Sequence, residues 1–283
     1  TLGAFAYVVW NARKGVKGAV ISAEGFAETG AEGASYQEEV KTILKASGVR
    51  GFGPNTLGLV NTRSKLTTSY YATPQMLEPG AIGFAAQSGI FVGALLRYLS
   101  SLEGMHLSKG IGLGNKVDVN ESDALSYLAQ DEQTKIIGMY LEDVKDGRAF
   151  AARLEEAVRA KPVLLIKSGR TPAGASASAS HTASLAVADA VFDGVVRQAG
   201  AIRLETIDEF IRTLRGFLNL PLPQGDRLAY VTYSGAQAIM SIDETAALGM
   251  QVARLHSGTL ERIGSVIATA SKMKNPIDIF PDW

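Results

Sequence analysis

Short β-rich runs alternate with helical patterns along almost the whole chain. That order restricts the fold to α/β, with parallel sheets covered by helices on both faces. Gly18 to Ala23 reads as a buried strand after a helix ending near Lys14, and Ala34 to Ala46 as a helix closed by Ser47-Gly48. Ala81 to Ala85 is the next strand. The helix from Gly89 to Ser101 sets Ile90, Phe91, Ala94, Leu95, Tyr98 and Leu99 on one side. Ile136 to Leu141 reads as a strand, Phe150 to Ala160 as a helix and Val163 to Ile166 as a strand. Asp189 to Ala199 and Ile207 to Phe217 read as helices, Leu228 to Thr232 as a strand and Ala236 to Leu248 as a helix. A hydrophobic content of 46% and 30 glycines suit such a core with many tight turns.

Two breaks divide the pattern. Tyr70 to Gly80 contains Thr73-Pro74-Gln75 and Pro79-Gly80, and Leu220-Pro221-Leu222-Pro223-Gln224-Gly225 is stronger. Three segments result: 1–75, 76–220 and 226–283. The first opens on a helix without its leading βα turn and the last has one clear βα unit, so both read as truncated and the chain as a piece of something longer. Lys+Arg and Asp+Glu number 28 each, which predicts neither a nucleic-acid partner nor a membrane surface. No apolar run reaches the roughly 20 residues of a membrane span, and Leu2 to Asn11 lacks a basic signal-peptide n-region. The chain has no cysteine, hence no disulfide, thiolate-bound zinc or thiol nucleophile. The expectation is a cytoplasmic globular protein.

Three features carry chemistry. His181 sits in Ser180-His181-Thr182-Ala183-Ser184-Leu185-Ala186, behind the small-residue run Gly169 to Ala179. An imidazole on such a loop can reach out, accept a phosphoryl group and carry it. The strand ending at Ala85 runs through Gln87-Ser88-Gly89 into a helix, so Ser88 and the backbone at Gly89 stand at a helix N-terminus, where free N–H donors bind anions. An ordinary N-cap is the plain alternative for Ser88. The strand Ile136 to Leu141 ends at Glu142-Asp143 on the same rim. Glu142 can accept a hydrogen bond from one imidazole nitrogen of His181, which fixes the tautomer and sharpens the other nitrogen as a nucleophile; a solvated acid opening a loop is the alternative.

Other features are weaker. Ile111 to Asp118 reads as a strand and a polar glycine turn that can shape a carboxylate or acyl-phosphate pocket, with Asn115 in it. Asp118, Glu121 and Asp123 match no metal loop, and Asp118 to Ser122 contains a helix cap, so no metal site is expected. Gly51 to Gly58 reads as a rigid turn. His106 and His256 lie in loops without acidic companions and receive no role. Ser234-Gly235 repeats the Ser88-Gly89 pattern, read as ordinary βα geometry.

In this order, the motifs resemble those of the nucleoside-diphosphate-forming acyl-CoA synthetase superfamily, which includes succinyl-CoA synthetase α subunits and ADP-forming acetyl-CoA synthetases. The carriers are Gly53-Pro54-Asn55-Thr56-Leu57-Gly58, Gln87-Ser88-Gly89, Leu113 to Asp118, Tyr140-Leu141-Glu142, Lys161 to Thr171, and Ser180 to Ala186. The resemblance spans nearly the whole chain and leans to the ADP-forming acetyl-CoA branch through Gly114-Asn115-Lys116 and Ser180-His181-Thr182. Where the family usually has glycine after His-Thr, this chain has Ala183.

The resemblance implies a partial Rossmann-like CoA-binding domain followed by flavodoxin-like parallel-sheet domains. The second domain would carry a phosphorylated His181 paired with Glu142. Ser88 and Gly89 would hold phosphate, and Pro54, Asn55 and Asn115 would face substrate and CoA. The implied reaction is carboxylate + ATP + CoA to acyl-CoA + ADP + phosphate. ATP and Mg²⁺ would bind an ATP-grasp module outside these residues, in a partner subunit or further along the polypeptide, within an oligomer. A non-catalytic acyl-CoA sensor, as in domains fused to lysine acetyltransferases, is the alternative, as is a CoA ligase coupled to a later lyase step. The histidine favours an enzyme.

Overall fold

In the computed structural model, residues 14–69, 72–73, 76–102, 104–176, 188–267 and 274–280 are described. Val163-Leu164-Leu165-Ile166-Lys167 forms a strand with all five residues buried, the continuous apolar run of a strand covered on both faces. The strands around it are β1 (Gly18–Val20), β2 (Arg50–Phe52), β3 (Leu59–Asn61), β4 (Leu66–Thr67), β5 (Ile82–Ala86), β6 (Leu107–Gly112), β7 (Ile136–Leu141), β8 (Val163–Lys167) and β9 (Ile202–Leu204). The helices of the same unit are α1 (Ala31–Ser47), α2 (Gly89–Ser100), α3 (Glu121–Gln130), α4 (Gly147–Ala160), α5 (Asp189–Ala199) and α6 (Ile207–Asn219).

Strands β3 to β9 make one sheet in the order β4-β3-β6-β5-β7-β8-β9. From β6 to β9 all neighbours are parallel, while β3 is antiparallel to both β4 and β6. Counted from β5, the five parallel strands stand in the order 2-1-3-4-5, the flavodoxin-like arrangement that the family resemblance implies. The connection from β5 runs to β6 on one side and the connection from β6 crosses back to β7 on the other, so a crevice opens at the carboxyl ends of β5 and β7.

Two cores flank the sheet. On one face Leu125, Leu128, Phe150, Leu154, Phe192 and Val196 cover Met139, Leu141 and Leu165. On the other, Leu96, Leu99, Phe210 and Leu214 cover Phe84, Leu164 and Ile166. Each fully buried side chain of this kind contributes about 1.5–3 kcal/mol. Gly138 lets the second face close: a Cβ there would lie 2.6 Å from Phe210 Cζ and 2.9 Å from Phe84 Cδ2. The two phenylalanine rings meet edge to face, 5.8 Å between centroids.

Ahead of the sheet, β1 and β2 pair in parallel across α1, one βαβ unit. Helix α1 stops at Gly48, whose φ of 69° is the left-handed C-cap that glycine favours. The β3–β4 hairpin, which hydrophobic periodicity alone does not reveal, joins the main sheet through Leu59↔Ile111. Thr1–Leu220 forms one compact unit and Pro221–Trp283 another.

Taken by itself, the second unit contains β10 (Arg227–Leu228), β11 (Val231–Thr232), α7 (Gly235–Ala247), β12 (Gln251–Val252), α8 (Ser257–Gly264) and β13 (Ile277–Asp278). The single strand expected over Leu228 to Thr232 is split in two. Asn275 causes the break: its Oδ1 accepts from Tyr230 N at 2.9 Å, and its Nδ2 donates to Leu228 O and Ala253 O at 2.8 and 2.9 Å. A side chain thus replaces a strand neighbour between the β10–β12 and β11–β13 ladders.

Candidate functional site

At the crevice, β5 ends at Ala86 and delivers Gln87 and Ser88 to the start of α2, and β7 ends at Leu141 and delivers Glu142 and Asp143. Ser88 is the N-cap residue of α2, with φ −80° and ψ 125°, yet its side chain makes no capping hydrogen bond. No acidic residue stands in the first turn of α2 either. The positive end of the helix dipole therefore meets the crevice uncompensated by its own sequence, which suits a phosphate or carboxylate. Gly89 fixes where this end lies. A Cβ on it would stand 2.7 Å from Leu57 Cγ and 2.9 Å from Leu57 N, so glycine allows the turn Gly53 to Gly58 to pack against the helix start.

Beneath the rim lies a buried polar network. Gln87 Oε1 accepts from the backbone N–H of Glu142 at 2.9 Å and of Asp143 at 3.1 Å, and Gln87 Nε2 donates to Asp143 Oδ1 at 2.5 Å. Lys116 Nζ donates to Asp143 Oδ1 at 2.5 Å, to the Asp143 carbonyl at 2.9 Å and to Gln87 Oε1 at 3.2 Å. The Lys116 side chain is fully buried, as is Glu121, whose Oε2 lies 2.9 Å from the ammonium without a well-aligned hydrogen bond. Glu121 Oε1 accepts from Lys145 N at 2.7 Å. Burial pushes the Asp143 carboxyl up, but Lys116, then Lys145 and Gln87, outweigh it and hold the group below its ordinary value. Lys116 adopts a φ of 59°, a region unfavourable for residues with a Cβ; the buried ion pair over-determines it.

Glu142 is buried at the rim, and Tyr140 Oη donates to its Oε1 at 3.5 Å. Burial, with Glu142 adding to it, raises the Tyr140 phenol above its usual value, against a lowering contact from Ser168. Ser88, Gly89 and Glu142 thus share one crevice. His181 lies outside the described residues, and so does any pairing of it with Glu142.

The expected substrate-side group assembles differently. Pro54 O accepts from Asn115 N at 2.9 Å and Asn55 N donates to Ala23 O at 2.9 Å. The Asn115 amide turns toward the first βαβ unit, donating to Glu28 Oε2 at 2.5 Å and Gln37 Oε1 at 2.9 Å. Burial raises the Glu28 carboxyl, but Asn115 and the N–H groups of Phe26 and Gly25 outweigh it and lower the group overall. Asn115 therefore ties Gly114-Asn115 to the first segment, while its neighbour Lys116 enters the crevice network.

Asp118 Oδ2 accepts from Arg50 Nε at 2.9 Å and Gly51 N at 2.8 Å, and Asp123 Oδ1 lies 3.3 Å from Arg50 Nη2. Asn120 caps α3 in a capping box with Asp123. Among the described residues no group of three or more His, Cys, Asp or Glu side chains could hold a metal ion. One histidine expectation needs correction. His106 does have an acidic companion, with Nε2 3.5 Å from Glu78 Oε2. His256 caps α8, its Nδ1 accepting from Gly258 N at 3.2 Å. Ser234 accepts from Gln237 N at 3.3 Å and is an ordinary cap.

Sequence reasoning singled out Ser88 at a helix start and Glu142 just past a strand end, and gave no role to Gln87, Lys116 or Asp143. The available signal was the polar pair on each side of the crevice, Gln87-Ser88 and Glu142-Asp143: one residue of each pair stands at the crevice and its neighbour joins the buried network.

Comparison with known proteins agrees with this architecture. The family described as "Succinyl-CoA ligase like flavodoxin domain" matches residues 79–217. Over 271 residues, 95% of the chain, it is 41% identical to "Acetate--CoA ligase [ADP-forming] II" of Archaeoglobus fulgidus, of which it spans 40%. It is 36% identical over 266 residues, 94% of the chain, to "Acetate--CoA ligase [ADP-forming] II subunit alpha" of Pyrococcus furiosus, of which it spans 57%. An acetyl-coenzyme A synthetase 1 from Ca. Korarchaeum cryptofilum, solved with phosphate and ADP, superposes with a TM-score of 0.90 at 28% identity, over 98% of this chain and 59% of that one. Residues 79–217 are therefore a succinyl-CoA-ligase-like flavodoxin domain, in a chain similar along nearly its whole length to ADP-forming acetate–CoA ligases, of which it spans about half or less.

Proposed function

We propose that this chain is the acyl-transferring part of an ADP-forming acyl-CoA synthetase that joins a short-chain carboxylate to CoA at the expense of ATP. The observation that carries this reading is the crevice itself: an uncapped helix start at Ser88-Gly89 beside the buried Glu142, in a chain 41% identical to an ADP-forming acetate–CoA ligase.

The chemistry divides among the residues as follows. His181 takes the γ-phosphoryl group of ATP on one ring nitrogen, breaking its bond to the departing ADP. Glu142 accepts a hydrogen bond from the other nitrogen and stabilises the charge that develops on the ring. At the crevice a carboxylate oxygen attacks the phosphorus, breaks the N–P bond and forms an acyl phosphate. The CoA thiolate then attacks the acyl carbon and expels phosphate. The N–H groups at the start of α2, with the Ser88 hydroxyl, hold the phosphate oxygens in both steps. Pro54 and Asn55 pack beside Gly114-Asn115 and, with that turn, border the CoA side.

ATP and its Mg²⁺ are held by an ATP-grasp module, in a second subunit or another part of the polypeptide, within a cytoplasmic oligomer. The full protein incubated with γ-labelled ATP should form an acid-labile, base-stable phosphoenzyme that carboxylate plus CoA discharges. His181→Ala should abolish the label; equal labelling of that variant would refute the mechanism.

A further inference from the structure

We infer that Gln87, Lys116 and Asp143 form a positioning clamp that holds the two halves of the crevice in register, setting the Glu142 backbone against the Ser88 turn. The inference rests on the proposed phosphohistidine reading, because it assigns the clamp to that step.

The crevice is built from two strand ends that no sequence-local interaction joins. In the main chain, Gln87 N donates to Tyr140 O at 3.0 Å, one bond beyond the β5–β7 ladder. Past that point the strands have ended, and side chains continue the connection. Gln87 Oε1 takes the two N–H groups that β7 leaves unpaired at Glu142 and Asp143, and Gln87 Nε2 returns a bond to Asp143 Oδ1. Lys116 arrives from the turn after β6 and donates to Gln87 Oε1, the Asp143 carboxylate and the Asp143 carbonyl. All three of its donors are thus directed within one residue of Ser88 or Glu142. Glu121, at the first turn of α3, adds the second carboxylate that borders the ammonium.

None of the three side chains is offered to the crevice as a ligand group, since all are buried and mutually bonded. What the network determines is where the Glu142 backbone lies. Displacing a reacting group by about 1 Å can cost roughly a hundredfold in rate. A second observation separates this from simple core filling. The contacts are complementary in charge and in donor sense: one amide, one carboxylate and one ammonium, each bonded to the other two. Exchanging amide and carboxylate between positions 87 and 143 destroys that pattern: Asp143 Oδ1 accepts from both Gln87 Nε2 and Lys116 Nζ, so an amide nitrogen in its place would face the ammonium.

The test uses the full-length protein with its ATP-grasp module and compares wild type, His181→Ala, Gln87→Glu, Asp143→Asn and the combined Gln87→Glu/Asp143→Asn. Each is followed by the initial rate of phosphoenzyme formation from γ-labelled ATP, by the KM for ATP and by amide exchange over residues 140–144. Each single substitution should slow labelling about a hundredfold, leave the KM for ATP within about twofold, and speed exchange at Glu142 and Asp143. The combined variant should stay as slow as the singles, because the amide nitrogen it needs at position 143 faces the Lys116 ammonium. Where a single variant melts below the assay temperature, labelling and exchange are read below its melting temperature, and exchange at Glu142 and Asp143 no faster than in the wild type would overturn the clamp. Wild-type labelling rates in the singles would overturn it as well. If the wild type forms no label, or His181→Ala labels equally, the phosphohistidine reading fails and the clamp's role falls with it. That outcome is separable, because the first two leave wild-type labelling intact.

Discussion

At the scale of single residues, the crevice depends on charges placed where the fold, and not the local sequence, supplies their partners. Glu142→Gln keeps shape and removes charge; if the carboxylate stabilises the charged imidazole, phosphoenzyme formation should fall by roughly two orders of magnitude, as rapid-quench labelling would reveal. Asp143 makes a pH prediction. Its folded carboxyl ionises below the unfolded value of about 3.9, despite burial, because of Lys116, Lys145 and Gln87. The unfolded chain therefore binds more protons across that interval, and stability rises with pH there. The contribution is whole above about pH 5 and drains away as pH falls through the folded value. Urea midpoints of the wild type should decline below about pH 4, and Asp143→Asn should decline less steeply; parallel curves would contradict the assignment. Ser88, Gly89 and Glu142 were legible because strand ends on an α/β rim advertise themselves. Lys116 was not: it lies in a glycine turn, and nothing local signals that its ammonium turns inward to Asp143, 27 residues ahead.

Among the elements, periodicity found the longer helices and the buried strands, because burial on one or both faces leaves a repeat in the side chains. It did not find β3 and β4, whose three and two residues are too short to carry a repeat and which exist as strands through the edge that β6 offers. Close packing makes two elements sensitive to small changes. Gly138→Ala puts a methyl against Phe210 and Phe84, and should lower stability by about 1–3 kcal/mol. Asn120→Ala removes the capping box at the start of α3, for about 1 kcal/mol. Both are read from denaturant midpoints of the whole chain, and a change under about 0.3 kcal/mol at Gly138 would mean that the Phe84–Phe210 contact yields freely.

For the molecule as a whole, the two compact units differ in how their strands are held. The main sheet has five parallel strands between two apolar cores. The described ladders of the second unit are each two residue pairs long. Amides of β5, β7 and β8 should therefore exchange only through the largest openings, and those of β10 to β13 through smaller ones. Hydrogen exchange resolved by segment checks this, and equal protection in the two units would refute it. The amino-acid sequence by itself determined the α/β class, the positions of the longer elements and the residues that stand at strand ends. These follow from periodicity, caps and turns, which act over a few residues. Only the tertiary structure decided the 2-1-3-4-5 strand order, which brings Ser88 and Glu142 to one crevice, and the burial of Lys116 between Asp143 and Glu121. Those depend on pairings across tens of residues, whose free energy comes from desolvation and packing that no local pattern records.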